Sequence, residues 1–245
     1  MADPITIVFP LYPGVTHLDF TGPHQFLARL PGAKLITASV GGVPIAADGL
    51  VFADLAPLET IEHCDVLCVP GGMGCTDAMQ NGVYMAAIRR LAGGARYITS
   101  VCTGSLILAA TGLLKGRRAA CHWACRDMLS LFGVIPDPAR VVRDGNVITG
   151  GGVTAGLDFA FVLAAELTGE TEAQALQLGL EYAPAPPFTA GLPETAPPEI
   201  LAQVRKRMDA LLPKRLAEAQ AAASALAVTS AQGSTSSVGR GLSAS

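Results

Sequence analysis

Cys102 is the residue whose surroundings point most directly to chemistry. It lies in ARYITSVCTGSLILAATGLL (95–114), where the β-branched run Tyr97–Val101 predicts a buried strand and Gly104–Leu114 predicts an apolar helix. The junction places the thiol beside free backbone N–H groups and the positive end of the helix dipole, which favour a thiolate. We therefore predict a nucleophilic cysteine, and the alternative is an inert thiol buried in a packed turn.

Asp19 is the carboxyl group best placed to work with that thiol. It lies in HLDFTGP, after the first predicted strand, and the turns that follow parallel strands share one rim of a sheet. A carboxyl group at that rim can exchange protons with a reacting group, and burial beside a thiol raises its pKa. The ordinary alternative for an aspartate at this place is a helix N-cap. Thr103 is expected either to cap the helix or to form a hydrogen bond with Asp19.

Two glycine-rich turns follow predicted strands at the same rim. Gly71, Gly72 and Gly74 either offer N–H groups to a developing negative charge or simply form a tight turn. The stretch GGGVTA (150–155) matches the dinucleotide pattern G-x-G-x-x-A only formally, because no second strand carries the ribose-binding acid. We expect both turns to share one pocket with Cys102.

The histidines and the other cysteines are weaker candidates. His122 lies in ACHWACR and is expected to be packed and hydrogen-bonded, although a spatial Cys–His dyad stays open. Cys121 and Cys125 flank it at a spacing that matches no common zinc pattern, so no metal site is predicted. The six cysteines lie in strand-like or helix-like apolar contexts, which indicates reduced thiols.

Composition restricts the class of protein. The chain has 245 residues, 50% of them hydrophobic, and a net charge of −3, which predicts one large α/β domain and argues against nucleic acid or a membrane surface as partner. The opening segment MADPITIVFPLYPGV carries an early aspartate and two prolines, so neither a signal peptide nor a membrane anchor is predicted. We expect a cytoplasmic protein.

Strands and helices alternate along the chain, which predicts a mainly parallel central sheet with helices on both faces. We predict a flavodoxin-like three-layer α/β sandwich with a nucleophile elbow at Cys102. Strands are predicted at 5–9, 33–40, 65–70, 97–101, 118–122, 141–145 and 146–150, a hairpin within 41–55, and helices at 18–30, 57–63, 82–93, 104–114, 123–133, 154–169 and 199–212.

The C-terminal segment differs from the rest. An apolar stripe over 199–212 predicts a docked helix that Pro213 ends or kinks. From about Thr229 onward the composition of Ala, Ser, Thr and Gly predicts a mobile tail. We therefore predict a catalytic domain over 1–213 and a helical extension with a tail over 214–245.

Several motifs, taken together, resemble those of the isocyanide hydratases, a family of cysteine enzymes in the class I glutamine amidotransferase-like superfamily. They are LDFTGPH, the PGG turn at 70–72, SVCTGSLILAATGLLKGRRA, CHWACR, RVVRDGNVITGGGVTAGLDFA and LEYAPAPPF. The resemblance covers residues 5–212. Cys121, Cys125 and the tail beyond Ala219 depart from the family pattern without touching the expected chemistry.

The resemblance implies hydration of an organic isocyanide to an N-substituted formamide through a thioimidate, with no cofactor, in a homodimer. It gives Cys102 the role of nucleophile and Asp19 that of general acid and base, with Thr103 orienting Asp19 by a hydrogen bond. Backbone N–H groups at Gly72 and Met73 are expected to stabilise charge. The expected substrate contacts are Gly72, Met73, Phe20, Gly151 and Val153, with Phe188 as a further apolar neighbour.

Two other functions stay open. The sensor half of AraC-type regulators shares the elbow and a similar GRRA-x-x-HW stretch, but such regulators need a further DNA-binding domain, and only residues 213–245 follow Leu212. A cysteine hydrolase, glyoxalase or deglycase of the same superfamily usually carries glutamate where this chain has Asp19 and histidine where it has Thr103. Conversion of cyclohexyl isocyanide to its formamide separates the three.

Overall fold

A computed structural model describes residues 4–238, with side chains described as far as residue 228. The strands are β1 (Ile5–Pro10), β2 (Ala33–Ser39), β3 (Ile45–Ala47), β4 (Leu50–Phe52), β5 (Ala56–Pro57), β6 (Val66–Val69), β7 (Tyr97–Val101), β8 (Arg118–Ala119), β9 (Ile135–Pro136), β10 (Val141–Asp144) and β11 (Val147–Gly150). The helices are α1 (Leu18–Leu27), α2 (Cys75–Gln80), α3 (Gly82–Gly94), α4 (Gly104–Ala110), α5 (Ala155–Thr168), α6 (Glu170–Gly179), α7 (Pro198–Met208) and α8 (Leu212–Val238).

A seven-stranded sheet organises the molecule in the order β10-β11-β7-β6-β1-β2-β5. All neighbouring strands in it are parallel except β10, which returns antiparallel beside β11. Helices α1, α5 and α6 form one packed group, and α2, α4 and α8 form another. The predicted α/β fold with a mainly parallel sheet between helices is confirmed.

The centre of the sheet places the reactive residues next to each other. Every residue of β6 and β7 is buried, as expected for parallel strands covered on both faces. Because β6 lies between β1 and β7, the segments that leave the carboxyl ends of these three strands are neighbours. Those segments carry Asp19, the turn 71–74 and Cys102, so the rim predicted from the sequence is present.

Some short elements differ from the prediction. The predicted strand at 118–122 pairs only over Arg118–Ala119, with β9 outside the main sheet. The helix predicted at 123–133 is a 3-10 helix over Arg126–Phe132, ended by Gly133 at φ 70°. Helices α2 and α6 were not predicted, because the first is very short and the second lies in a polar stretch.

The C-terminal segment forms two helices. Pro213 lies in the first turn of α8, where a missing N–H costs nothing. Arg215 and Ala219 are buried, and α8 packs against α2, α4 and the 3-10 helix at 126–132. The helix continues to Val238 through the segment predicted as a tail from Thr229, and residues 239–245 lie outside the described residues. The division at residue 213 stays a prediction.

Over residues 4–238, the structure contains no helix that is both long and apolar enough to cross a membrane.

Candidate active site

Cys102 lies on a strained backbone at the end of β7. Its φ is +58°, in the left-handed region that residues with a Cβ rarely adopt, at a cost of about 1–3 kcal/mol. The Cys102 N–H donates to the Gly150 carbonyl at 3.0 Å and so ties the elbow to the neighbouring strand β11. Gly104, two residues after Cys102, must be glycine, because a Cβ there would lie 2.2 Å from the Val69 oxygen. The predicted elbow between strand and helix at Cys102 is present, and the nucleophilic role of this residue stays a prediction.

Asp19 lies in the first turn of α1 and is only 1% exposed. Its Oδ2 accepts a hydrogen bond from the Gly71 N–H at 2.9 Å, while Oδ1 is buried without a partner among the described residues. Burial raises the pKa of Asp19 to about 7, against smaller lowering effects of the Gly71 N–H and the Cys102 thiol. The raised pKa is as expected, and the N-cap alternative is wrong because His17 holds that position.

The pKa of Cys102 is not lowered as the sequence predicts. Burial raises the pKa of the thiol well above its usual value, and the negative charge of Asp19 raises it further. The Thr103 N–H at the start of α4 lowers it, but this effect is smaller. Desolvation therefore outweighs the helix terminus. Above about pH 7 the pair is therefore a Cys102 thiol beside an Asp19 carboxylate.

Thr103 holds the glycine turn and not the carboxyl group. Its Oγ1 accepts from the Gly72 N–H at 2.9 Å and donates to the Gly72 carbonyl at 3.2 Å. The predicted hydrogen bond from Thr103 to Asp19 is therefore absent among the described residues, and Asp19 accepts from the Gly71 N–H instead. Because the Gly72 N–H already donates to Thr103, it is not available to the substrate. The Met73 N–H forms no hydrogen bond within the described part of the chain, so it remains the free donor of this turn.

A cavity of about 130 Å³ opens beside Cys102, with a mainly apolar lining. Of the predicted substrate contacts, Gly72, Met73 and Val153 border it. The residues that line it are Thr16, Gly72, Met73, Cys102, Thr103, His122, Ala124, Cys125, Val153, Met208, Leu211, Leu212 and Arg215.

Three predicted contacts lie elsewhere. Phe20 is buried against Phe52, with ring centroids 4.8 Å apart, and so belongs to the packing of the β3–β4 hairpin. Gly151 does not line the cavity, and its N–H donates to the Arg140 carbonyl at 2.9 Å, which continues the β10–β11 pairing. Phe188 is 80% exposed. The sequence indicated which strands and helices these residues follow, but not whether they point toward the cavity.

His122 borders the cavity without forming a catalytic dyad. Its Nδ1 accepts from the Ala124 N–H at 3.3 Å, as expected for a packed histidine. Burial, and then the charge of Arg215, lower the pKa of the imidazole and keep it neutral near pH 7. Within residues 4–238, no group of three or more His, Cys, Asp or Glu side chains is arranged to hold a metal ion.

The C-terminal segment supplies one wall of the cavity, which was not predicted from the sequence. Met208, Leu211, Leu212 and Arg215 all border the cavity next to Cys102. The apolar stripe at 199–212 predicted a docked helix, but its target was not evident. Nothing in the sequence distinguished Arg215 from the exposed arginines around it.

Gly71 allows a sensitive test of this geometry. A Cβ there would lie 2.5 Å from the Thr103 nitrogen, 2.7 Å from its Oγ1 and 2.8 Å from Asp19 Oδ2. We expect Gly71→Ala to push the pair apart and to lower turnover of whatever substrate is used by about 100-fold. Gly82→Ala, on an exposed helix start with nothing within 4 Å, is the matched control and should match wild type. Equal activity of the two variants would contradict the assigned geometry.

Comparison with known proteins places this site in a family. The DJ-1/PfpI family model matches residues 5–166. The chain is 51% identical over 207 residues to isonitrile hydratase of Pseudomonas putida, covering 83% of this chain and 90% of that protein. This bears out the resemblance seen in the motifs.

Solved structures agree with the family model. A ThiJ/PfpI family protein from Pseudomonas syringae superimposes with a TM-score of 0.85 at 43% identity, covering 91% of each chain. DJ-1beta of Drosophila melanogaster superimposes with a TM-score of 0.66 at 26% identity, over 74% of this chain and 100% of that one. The chain therefore belongs to the DJ-1/PfpI family.

Proposed function

We propose that the protein hydrates organic isocyanides to N-substituted formamides. The observation that carries the proposal is the buried Cys102–Asp19 pair beside a mainly apolar cavity, because an isocyanide needs one nucleophile and one proton carrier. The 51% identity to a protein named isonitrile hydratase supports the same substrate class.

In the first step the sulfur of Cys102 attacks the terminal carbon of R–N≡C. Its proton passes to Asp19 as the C–S bond forms, and Asp19 delivers that proton to the same carbon. The product is a thioimidate, Cys102–S–CH=N–R, with Asp19 again a carboxylate. A carboxyl group with a pKa of about 7 suits both transfers near neutral pH.

In the second step water attacks the thioimidate carbon. Asp19 takes one proton from the water and gives it to the nitrogen, which forms a tetrahedral hydroxyl adduct. Asp19 then takes the hydroxyl proton as the C–S bond breaks, which releases R–NH–CHO. The sulfur recovers its proton from Asp19, so the pair returns to its starting state with one water consumed.

The cavity and its donors fit these steps. Oδ1 of Asp19 has no hydrogen-bond partner among the described residues, which leaves that atom open to take and return the proton. Met73 borders the cavity, and we assign its N–H, which forms no hydrogen bond within the described residues, as the donor for the negative charge that develops during attack. Val153, Leu211 and Leu212 offer apolar surface to the R group. Thr103 holds the turn at 71–74 through its hydrogen bond from the Gly72 N–H.

The direct test is to incubate purified, reduced protein with cyclohexyl isocyanide and follow N-cyclohexylformamide by proton NMR. We expect catalytic turnover without an added cofactor. Saturable binding of the isocyanide without any formamide would instead favour the sensor function. Hydrolysis of esters or conversion of glyoxals in place of hydration would favour the hydrolase or glyoxalase alternative.

We also propose that the protein is a cytoplasmic homodimer. All six cysteines are free thiols, which suits a reducing compartment. Leu178 is 84% exposed and Phe188 is 80% exposed, so both large apolar side chains are available for contact with a second copy. Light scattering of the purified protein measures the mass directly.

A further inference from the structure

Arg215 lines the cavity but has no part in the steps above. We propose that it is a positioning residue for Cys102: its guanidinium holds the Gly72–Met73 turn and supplies the positive charge that balances the negative charge of the Asp19–Cys102 pair. The inference deepens the proposed function and rests on it for turnover. Its main test uses the thiol alone and needs no isocyanide.

The guanidinium of Arg215 is fixed by contacts from the turn and from one cysteine. Nη2 donates to the Gly72 carbonyl at 3.2 Å and to the Met73 carbonyl at 3.1 Å, and lies 3.9 Å from Met73 Sδ. Nη1 donates to the Cys125 sulfur at 3.4 Å. These contacts tie α8 to the turn beside the thiol. A lysine at this position would not hold the turn in the same way, because its ammonium lacks the planar guanidinium with its fixed donors.

The turn lies between a buried anion and a buried cation. At its start the Gly71 N–H donates to Asp19, and at its end the carbonyls of Gly72 and Met73 accept from Arg215. A hydrogen bond to the Gly72 carbonyl polarises the Gly72–Met73 peptide and strengthens the Met73 N–H as a donor. Arg215 therefore strengthens the N–H that we assign as the donor to the developing charge.

The distribution of buried charge also supports this role for Arg215. Among residues 4–228, Asp19 and Arg215 are the charged side chains that are buried, at 1% and 6% exposure. No carboxylate in that stretch forms an ion pair with Arg215, and its Nε is buried without a partner. An uncompensated buried charge is costly, so a cation kept here has its counter-charge nearby in the low-dielectric site. Cys102 interacts electrostatically with the guanidinium, so the Asp19–Cys102 pair supplies part of that counter-charge.

Other titratable groups also surround the pair and the guanidinium. The ones that interact with them electrostatically are Cys68, Cys75, Cys121, Cys125, His122 and Tyr12, and Glu218 acts on Cys75. The Tyr12 hydroxyl donates to the Pro70 carbonyl, and burial keeps this phenol neutral. His122 is neutral near pH 7, and burial raises the pKa of Cys75 and Cys121. The charge of Arg215 acts on the thiols Cys75 and Cys125 and then on Cys102, and of these thiols only Cys102 belongs to the reacting pair.

The test measures alkylation of Cys102 by iodoacetamide between pH 6 and 8 in full-length wild type and Arg215→Met. Trypsin releases residues 97–115, a peptide in which Cys102 is the only cysteine, so mass spectrometry reports this thiol alone. We expect the alkylation rate of Arg215→Met to fall about ten-fold at each pH, equal to a rise of one pKa unit. Arg205→Met makes the same change at an exposed site on α7 and should match wild type.

Conservative variants separate charge from packing. Arg215→Lys keeps the charge and should recover most of the alkylation rate, while its isocyanide turnover stays below wild type because the planar fork is lost. An unchanged alkylation rate in folded Arg215→Met would overturn the proposal. If the Met variant does not fold, Arg215→Gln, which keeps a donor without charge, carries the same comparison. Unchanged alkylation in that variant would overturn the proposal equally.

Discussion

Cys102→Ala should abolish hydration of cyclohexyl isocyanide, with kcat lowered by about 10⁴-fold or more, as when the nucleophile of a covalent enzyme is removed. The carbon of the isocyanide then has no sulfur to bond to, and the thioimidate cannot form. Cys102→Ser should be nearly as inactive. A carboxylate with a pKa of about 7 is too weak a base to take the proton of a buried hydroxyl during attack.

Formamide production measured by proton NMR checks this result, with mass spectrometry of enzyme quenched during turnover. Wild type should carry a mass increase equal to one isocyanide on the peptide 97–115, and both variants should lack it. Cys64→Ala is the matched control, because Cys64 is also buried but its sulfur contacts the Leu91 carbonyl, and neither residue lines the cavity. Turnover by Cys102→Ala at a rate near wild type would remove covalent catalysis from the mechanism.

Asp19→Asn should stop turnover while it leaves the thiol reactive. The amide keeps an oxygen to accept from the Gly71 N–H but cannot carry the proton from sulfur to carbon, so we expect kcat to fall by about 10²- to 10⁴-fold. Removal of the negative charge that raises the pKa of Cys102 should make alkylation by iodoacetamide at least as fast as in wild type. Asp48→Asn, at an exposed hairpin position, is the control. Wild-type turnover in Asp19→Asn would exclude this residue as the proton carrier.

The pKa of Asp19 gives the same variant two further readouts. Wild-type kcat/KM should fall as pH drops below about 7, because protonated Asp19 cannot accept the proton of the thiol. The free energy of unfolding changes with pH in the opposite direction, since the folded state holds a proton that an aspartate in the unfolded chain, with its ordinary pKa of 3.8, has released. Wild type should therefore lose stability relative to Asp19→Asn as pH rises from about 4 to about 7. Thermal melting of both proteins across that range measures the difference.

The two variants also distinguish the hydratase from the alternatives. A sensor domain would keep ligand binding in both Cys102→Ala and Asp19→Asn, since neither change closes the cavity. A hydratase loses product formation in both, yet only Asp19→Asn retains a thiol that iodoacetamide modifies. Activity and thiol chemistry are therefore separate measurements on the same two residues.

The sequence by itself determined the elbow and the rim. A short β-branched run followed at once by an apolar helix identifies Cys102 locally, and parallel strands place their following turns at one edge. Asp19 and the glycine turn at 71–74 could be assigned to that edge for the same reason. These features depend on neighbours in the chain or on a general rule of sheet topology, which is why they were predictable.

The tertiary structure alone decided where the proton rests and what surrounds it. The sequence predicts a thiolate at Cys102 from the helix terminus, but the pKa depends on burial, which residues far along the chain create. The direction of Phe20 and the partner of Thr103 were likewise set by packing. Arg215 reaches the cavity only because α8 folds back over α2 and α4, and no local pattern encodes that contact.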